Sequence, residues 1–223
     1  MDADSTQVAE MKPLLMIMNP RKIPVCMEAL ESLEIDKVWL KHYSERELIQ
    51  VISDVIASTD HDVIGLLSDD TIPDQKALDL ILKAFEPSSV YTGYCNMEED
   101  TPEVNLSSKP LLIQDNASLE CYDFPTKAEV DRHKGLYPSW FTGFAMTFMS
   151  REMWLKNPFD CVGDPGYQSD YRLSCRLQED GVKIWAVPKA FMPHLRLAES
   201  TKHLEGGTVI VGNGLGEVVW DLK

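Results

Sequence analysis

The chain has 223 residues, 44% of them hydrophobic, enough for one domain with a substantial core. Lysine and arginine number 21 against 36 aspartates and glutamates, for a net charge of −15. Such a surface repels phosphate backbones, which argues against nucleic acid as the main partner; a divalent cation would still let one nucleotide settle in a pocket.

Five cysteines, Cys26, Cys95, Cys121, Cys161 and Cys175, contain no C-x-x-C pair. This odd, scattered set reads as the reduced thiols of a cytoplasmic protein, not a disulfide framework or zinc knuckle. No apolar run approaches ~18 residues, so no segment is expected to span a membrane. The acidic start "MDADSTQVAEMK" is no signal peptide, so the sequons at Asn105 and Asn116 read as chance.

In chain order, residues 1–11 read as a tail and 12–223 as a single domain. "PLLMIM" (13–18) is a short continuous apolar run, as expected for a strand buried on both faces. "NPRK" breaks it, and Pro24 suits the first turn of a helix carrying Cys26, Ala29, Leu30 and Leu33 on one stripe. "DKVWLKHY" (36–43) reads as strand two. Ser44 and Glu47 have capping-box spacing ahead of the stripe Leu48, Val51, Ile52, Val55 and Ile56. "DVIGLL" (62–67) is strand three, Pro73 opens a helix with Ala77, Leu78, Ile81, Leu82 and Phe85 inward, and "SVYTGYCN" (88–96) is strand four.

Residues 12–96 thus alternate strand and helix, the pattern of an α/β three-layer sandwich with a mostly parallel sheet. Right-handed crossovers place the strands' C-terminal ends on one edge, where ligands of such sheets bind. The rhythm stops in 97–136. Residues 97–108 read as a loop and "LLIQ" and "LECYDF" as a hairpin around Asp115-Asn116, and a moderately polar stretch follows to His133. "YPSWFTGFAMTFMSREMW" (137–154) reads as loop, strand, then a helix capped near Ser150. A helix from about Tyr167 to Asp180 stops at Gly181, and "VKIWAVPKAFMPH" is a strand delivering His194 past its end. In 198–223, "TVIVGNGLGEVVW" reads as a hairpin turning at Asn213-Gly214. Gly212, Gly214 and Gly216 have phosphate-loop spacing but lead into a strand, so they carry no weight. No repeats are evident.

Four groups of residues could carry chemistry. Asp69 and Asp70, just past strand three, either cap the helix after Pro73 or hold a divalent metal, for which carboxylates are hard oxygen ligands. Asp170 shares a helix face with Leu173, Ser174 and Leu177; it is either a first-turn acid favoured by the helix dipole or a base aimed into a cleft. His194 is an ordinary strand-end histidine unless it meets Asp70 in space. Trp140 and Phe141, followed by Thr142 and Gly143, are core aromatics or a surface that stacks on a sugar and lets it approach the backbone.

Taken in order, strand one plus "NPRK", then "LLSDDTIP", "WFTGFAMTFMSREMW" and "SDYRLSCRLQEDGVKIWAVPKAFMPH" resemble the family 2 glycosyltransferases, which have the type-A (GT-A) nucleotide-sugar fold. The resemblance covers residues 12–96 (nucleotide half) and 137–196 (acceptor and catalytic half). It implies a transferase moving a sugar from a nucleotide-diphosphate sugar to a hydroxyl of a saccharide, lipid or protein, with Mn²⁺ or Mg²⁺. By position, Asp70 would bind metal, with His194 as a further ligand. Asp69 and Ser68 would support metal or ribose, and Asn19, Pro20 and Arg21 would lie near the nucleotide. Asp170 would be the base of an inverting displacement, and Trp140, Thr142, Gly143 and Ser169 would shape the sugar and acceptor site. Three departures stand out. Ser68 replaces the first acid of the triplet, Ser169 replaces the usual Glu before the base, and "KHYS" replaces the acid after strand two, leaving His42 or Tyr43 to stack on the nucleobase. A nucleotidyltransferase, a non-catalytic binding module and a retaining transferase remain alternatives, and a homo-oligomer is compatible with the chain.

Overall fold

The computed structural model describes residues 11–18, 23–41, 44–97, 101–110, 124–158, 160–161, 168–195, 201–203, 208–212 and 217–221. Asn19, Pro20, Arg21, His42 and Tyr43, the hairpin expected around Asp115-Asn116, and the Asn213-Gly214 turn lie outside the described residues.

The first half alternates as its periodicity predicts: β1 (Pro13–Met18), α1 (Pro24–Ser32), β2 (Asp36–Leu40), α2 (Glu45–Ser58), β3 (Val63–Leu67), α3 (Gln75–Ala84) and β4 (Val90–Tyr94). The second half holds α4 (Lys127–Arg132), β5 (Tyr137–Ser139), β6 (Thr147–Ser150), α5 (Arg151–Lys156), α6 (Ser169–Glu179) and β7 (Ile184–Phe191). Seven strands form one sheet in the order β2-β1-β3-β6-β4-β7-β5. β1 pairs in parallel with β2 and β3, and β4 with β7; β6 is antiparallel between β3 and β4, and β5 is antiparallel on β7. Hence β1, β2, β3, β4 and β7 point one way, and their C-terminal ends share an edge. This is the mixed, mostly parallel α/β sandwich expected from the sequence.

The period-2 geometry of strands explains why the core strands are apolar throughout. In β1, Leu15 and Ile17 face one layer with Cys26 and Leu30 of α1 and Leu78 and Ile81 of α3. Met16 faces the other with Leu48 and Ile52 of α2, Trp154 of α5, and Leu173 and Leu177 of α6. Helices therefore cover both faces. β8 (Thr201–His203), β9 (Thr208–Gly212) and β10 (Glu217–Asp221) form a separate antiparallel sheet, in which β9 and β10 pair as a hairpin with Gly212 opposite Glu217, so four residues connect them instead of the two of a turn at Asn213-Gly214.

Several boundaries differ from the sequence reading. Pro73 precedes α3 instead of opening it: Asp74 is the N-cap, and its Oδ1 accepts from the Ala77 N–H at 2.7 Å. β2 ends at Leu40. The moderately polar stretch before His133 contains α4, entered through a full capping box between Thr126 and Glu129. At α2, Ser44 takes its expected capping role, accepting from the Glu47 N–H at 3.2 Å. Ser150 caps α5 in the same way, accepting from the Met153 N–H at 3.2 Å.

Candidate active site at the C-terminal edge of the sheet

Three strand ends converge on this edge. β3 delivers Ser68 to Thr71, β4 delivers Asn96, and β7 delivers His194. β7 reaches it through a bulge, where Lys189 adopts φ 70° and the pairing with β4 shifts between Thr92 and Tyr94. The bulge packs tightly on Gly93: a Cβ there would lie 2.4 Å from Met192 Cε and 2.8 Å from the Ala190 carbonyl oxygen, so only glycine fits. Beyond the bulge, residues 193–195 run antiparallel to the acidic turn. The Ile72 N–H donates to the Pro193 carbonyl at 2.8 Å, and the Leu195 N–H to the Asp70 carbonyl at 2.7 Å.

This short ladder sets His194 beside Asp70. Its Nε2 lies 3.0 Å from Asp70 Oδ2, and the Ser68 hydroxyl donates to Asp70 Oδ1. An ionised carboxylate only accepts, so with Asp70 charged Nε2 carries the proton. Nδ1 of the same ring is buried and has no hydrogen-bond partner among the described residues. The condition for reading His194 as more than a strand-end residue, contact with Asp70, is thus met. The capping alternative for Asp69 and Asp70 falls, because Asp74 does that work. Asp69 is wholly buried.

Asp170 sits in the first turn of α6. α6 feeds β7 from the opposite direction, so its N-terminus lies toward the same edge. The helix starts after Gln168, which adopts φ 61°. Asp170 Oδ1 accepts from the Tyr171 N–H at 2.7 Å. Leu173, Ser174 and Leu177 are buried while Asp170 is partly exposed, so the helix turns the acid to the rim of its apolar face. Ser169 is buried. Asp160 braces this helix from outside, 3.3 Å from Arg172 Nη2 and 3.1 Å from Arg176 Nη2. Burial works against its charge, but the Cys161 N–H and the two guanidiniums prevail and hold the carboxyl below its ordinary value.

The segment between β5 and β6 joins the two acidic corners. The Thr142 N–H donates to Ser174 Oγ at 3.2 Å, and that hydroxyl donates to the Asp170 carbonyl at 2.8 Å. Two residues on, the Phe144 carbonyl accepts from the Ser68 N–H at 3.3 Å. Phe144 and Met146, both buried, adopt φ of 57° and 56°, a left-handed conformation that is costly for bulky residues. Beneath them lies a buried hydroxyl cluster: Thr142 donates to Thr92 at 3.2 Å, and Thr147 bonds both. The Thr142 hydroxyl is thus engaged inside the protein. Trp140 packs on Tyr171 with ring centroids 5.9 Å apart, and its carbonyl accepts from Gln178 Nε2 at 3.0 Å. Gly143 faces Asn105, whose Nδ2 would lie 2.8 Å from an added Cβ.

Asn96 and Asn105 escaped the sequence reading. Asn105 is buried, and its Oδ1 accepts from the Cys95 N–H at 2.8 Å. Residues 103–105 in fact run antiparallel along 95–97, with Met97 N–H to Glu103 carbonyl at 2.9 Å and a bridge between Asn96 and Val104. The available signal was Val104 and Leu106 flanking Asn105, a single period-2 alternation inside a polar run.

Among the described residues no group of three or more His, Cys, Asp or Glu side chains is arranged to hold a metal ion. A metal at this edge would have Asp70 and His194 as side-chain ligands and need the rest from a bound molecule. A cavity of about 400 Å³ lies at the opposite edge, lined in part by Glu86, Tyr91, Lys183 and Trp185. Lys183 lies over the Trp185 ring at 5.8 Å, and the cavity holds none of the acids discussed above.

No family model matches the sequence, and no curated protein does. Solved structures do share the fold. "A197 from STIV" superposes with a TM-score of 0.53 at 12% identity, over 96% of both chains. "GalNAc-T7 with UDP, GalNAc and Mn2+" superposes with a TM-score of 0.54 at 11% identity, over 83% of this chain and 44% of that one. The architecture is therefore GT-A-like. An inositol-1-phosphate CTP transferase from T. maritima, at a TM-score of 0.46 and 9% identity, is too loose a match to bear on it. No described helix is long and apolar enough to cross a membrane.

Proposed function

We propose that this chain is a glycosyltransferase of the family 2 type, moving a sugar from a nucleotide-diphosphate donor to a hydroxyl acceptor. The observation that carries the reading is Asp70 meeting His194 across 124 positions of sequence, at the ligand-binding edge of a GT-A-like sheet. One structure of similar fold, GalNAc-T7, was solved with UDP, GalNAc and Mn2+.

The donor set fits a divalent cation of the Mn²⁺ or Mg²⁺ kind. It offers one carboxylate, one imidazole whose buried Nδ1 has no hydrogen-bond partner among the described residues, and a hydroxyl alongside. When bound, such an ion neutralises charge developing on a departing diphosphate. The chain's own residues do the rest. Ser68, standing where the family has an acid, orients Asp70 by donating to it, leaving one less negative charge beside the phosphates. Asp170, at the positive end of α6, is suited to take the acceptor's proton from the face opposite the leaving group, which inverts the anomeric carbon. Trp140 and Gly143 would meet the sugar or acceptor. Asn19, Pro20, Arg21 and Tyr43 contribute on the nucleotide side.

A thermal-shift screen of nucleoside diphosphates with and without Mn²⁺ tests the donor half of this reading. One base is expected to raise Tm only with metal, and Asp70→Ala is expected to abolish that shift. A metal-independent shift, or none, would sink the metal assignment. A metal-dependent shift with no donor hydrolysis or transfer would favour a binding module of the same fold, a reading to which the buried Ser169 and the internally engaged Thr142 lend weight.

A further inference from the structure

We propose that Asn96 is a positioning residue for His194, clamping its backbone so that the imidazole faces Asp70; the inference rests on the reading of Asp70 and His194 as the metal and diphosphate corner. In an extended segment, successive residues point their N–H and C=O groups to alternate sides. Pro193 and Leu195 spend theirs on the acidic turn, bonding Ile72 N–H and Asp70 carbonyl. The N–H and C=O of His194 therefore point away from that turn, toward β4, which has already ended at Tyr94. Among the described residues no strand remains there to receive them, and unpaired backbone groups at such a partly buried place are costly.

Asn96 substitutes for the missing strand. Its Oδ1 accepts from the His194 N–H at 2.8 Å, and its Nδ2 donates to the His194 carbonyl at 3.3 Å. One amide thus reads both backbone groups of one residue, as a paired neighbour would. No other side chain does this with a single neutral group of the same reach; aspartate lacks the donor and leucine lacks both. Asn96 is itself held by the bridge to Val104 and by the flanking Met97–Glu103 bond.

Apart from its Nε2 contact to Asp70 at 3.0 Å, the ring has no hydrogen bond to orient it among the described residues. A metal-binding histidine ordinarily has its second ring nitrogen fixed by a hydrogen bond, and losing that partner typically weakens the metal by about 10–100-fold. Here Nδ1 has no partner among the described residues. The ring's aim is set from the backbone: by the ladder to residues 70–72 on one side and by Asn96 on the other.

The test is a double-mutant cycle on Mn²⁺ affinity, read by electron paramagnetic resonance of free Mn²⁺, with uridine, cytidine, guanosine or adenosine diphosphate as co-ligand. Asn96→Ala is expected to weaken Mn²⁺ about tenfold or more in the wild-type background. In a His194→Ala background it is expected to add nothing, because its effect passes through that ring. An equal loss in both backgrounds would mean Asn96 merely supports the fold, and would overturn the proposal. If Asn96→Ala does not fold, Asn96→Asp keeps the shape and the acceptor but loses the donor, and takes its place in the cycle. If His194→Ala leaves Mn²⁺ binding unchanged, or the wild type binds no Mn²⁺ with any of the four, the metal reading itself fails. The clamp is then judged from a crystal structure of the Asn96 variant. Loss of the 3.0 Å contact between His194 and Asp70 would uphold it, and retention would overturn it.

Discussion

The two acidic corners of the upper edge are held in place by different means. The Asp70 corner is braced from within: backbone bonds to residues 193–195, the Asn96 fork and the Ser68 hydroxyl all lie at or below the protein surface. The Asp170 corner begins at a left-handed Gln168 with no side-chain cap, and the ion pairs that brace its helix are partly exposed. Strand ends converge because the sheet makes them converge, so a site built on them is stiff. A helix N-terminus can be slid or tilted, and ion pairs in water resist that weakly. The corner proposed to grip the donor is thus the more preorganised one, and the corner proposed to meet the acceptor depends in part on solvent-facing charge, beside the buried Leu173, Ser174 and Leu177.

The largest effect should come from removing the proposed base. Asp170→Asn is expected to lower turnover by about 10²–10⁴-fold, with donor affinity and Tm nearly unchanged. Steady-state kinetics with a competent donor and acceptor would measure it. A variant with full turnover would leave Asp170 a helix-start acid and remove one side of the comparison.

Next come the buried hydroxyls beneath the connecting segment. Thr92→Val keeps the shape but takes away the group that Thr142 donates to and Thr147 bonds. Leaving those partners under-satisfied in a buried place should cost about 1–3 kcal/mol, measurable by urea unfolding. If the segment transmits that loss, activity should fall more than stability alone explains. Gly143→Ala probes the same link more gently. Its Cβ would press on Asn105 Nδ2, the movable end of a side chain, so about 1 kcal/mol is expected. Because Thr142 and Phe144 on either side reach Ser174 and Ser68, the variant should disturb both corners at once.

The difference between the corners also explains what could be read in advance. β1 and β3 were legible because strands buried on two faces are continuously apolar, and the alternation with one-stripe helices carried β2 and β4 along with them. Asp70 was legible as an acid three positions past the end of such a strand. The partner relation to His194 needed the fold, since nothing local links residues 70 and 194. Asn96 was hidden for the same reason: its function is to satisfy backbone groups, and backbone groups leave no mark on a sequence pattern. α4 was missed although its capping box, Thr126 to Glu129, stands in the sequence, because two turns carrying one buried residue, Val130, make no periodic stripe. The left-handed Phe144 and Met146 run against the preference of their residue types, so propensity would place them wrongly.

The smallest expected effect is at Asp160, and its sign follows from its surroundings. Burial opposes the charge, but the Cys161 N–H, Arg172 and Arg176 outweigh it and hold the folded carboxyl below the ordinary value of 3.8. A group lowered on folding contributes stability that is fully present above its unfolded value and is lost as pH falls through the folded one. Asp160→Asn should therefore reduce stability at neutral pH, and the gap to wild type should close as pH drops below 3.8. The side chain is 39% exposed, so water screens the pairs and the gap should be only about 0.2–1 kcal/mol. Salt should narrow it further, since exposed pairs are screened within a Debye length. The informative readout is the contrast between corners. High salt should erode turnover, through α6, while leaving Mn²⁺-dependent nucleotide affinity at the Asp70 corner less affected. Equal erosion of both would mean that the connecting segment couples the corners more tightly than their separate bracing implies.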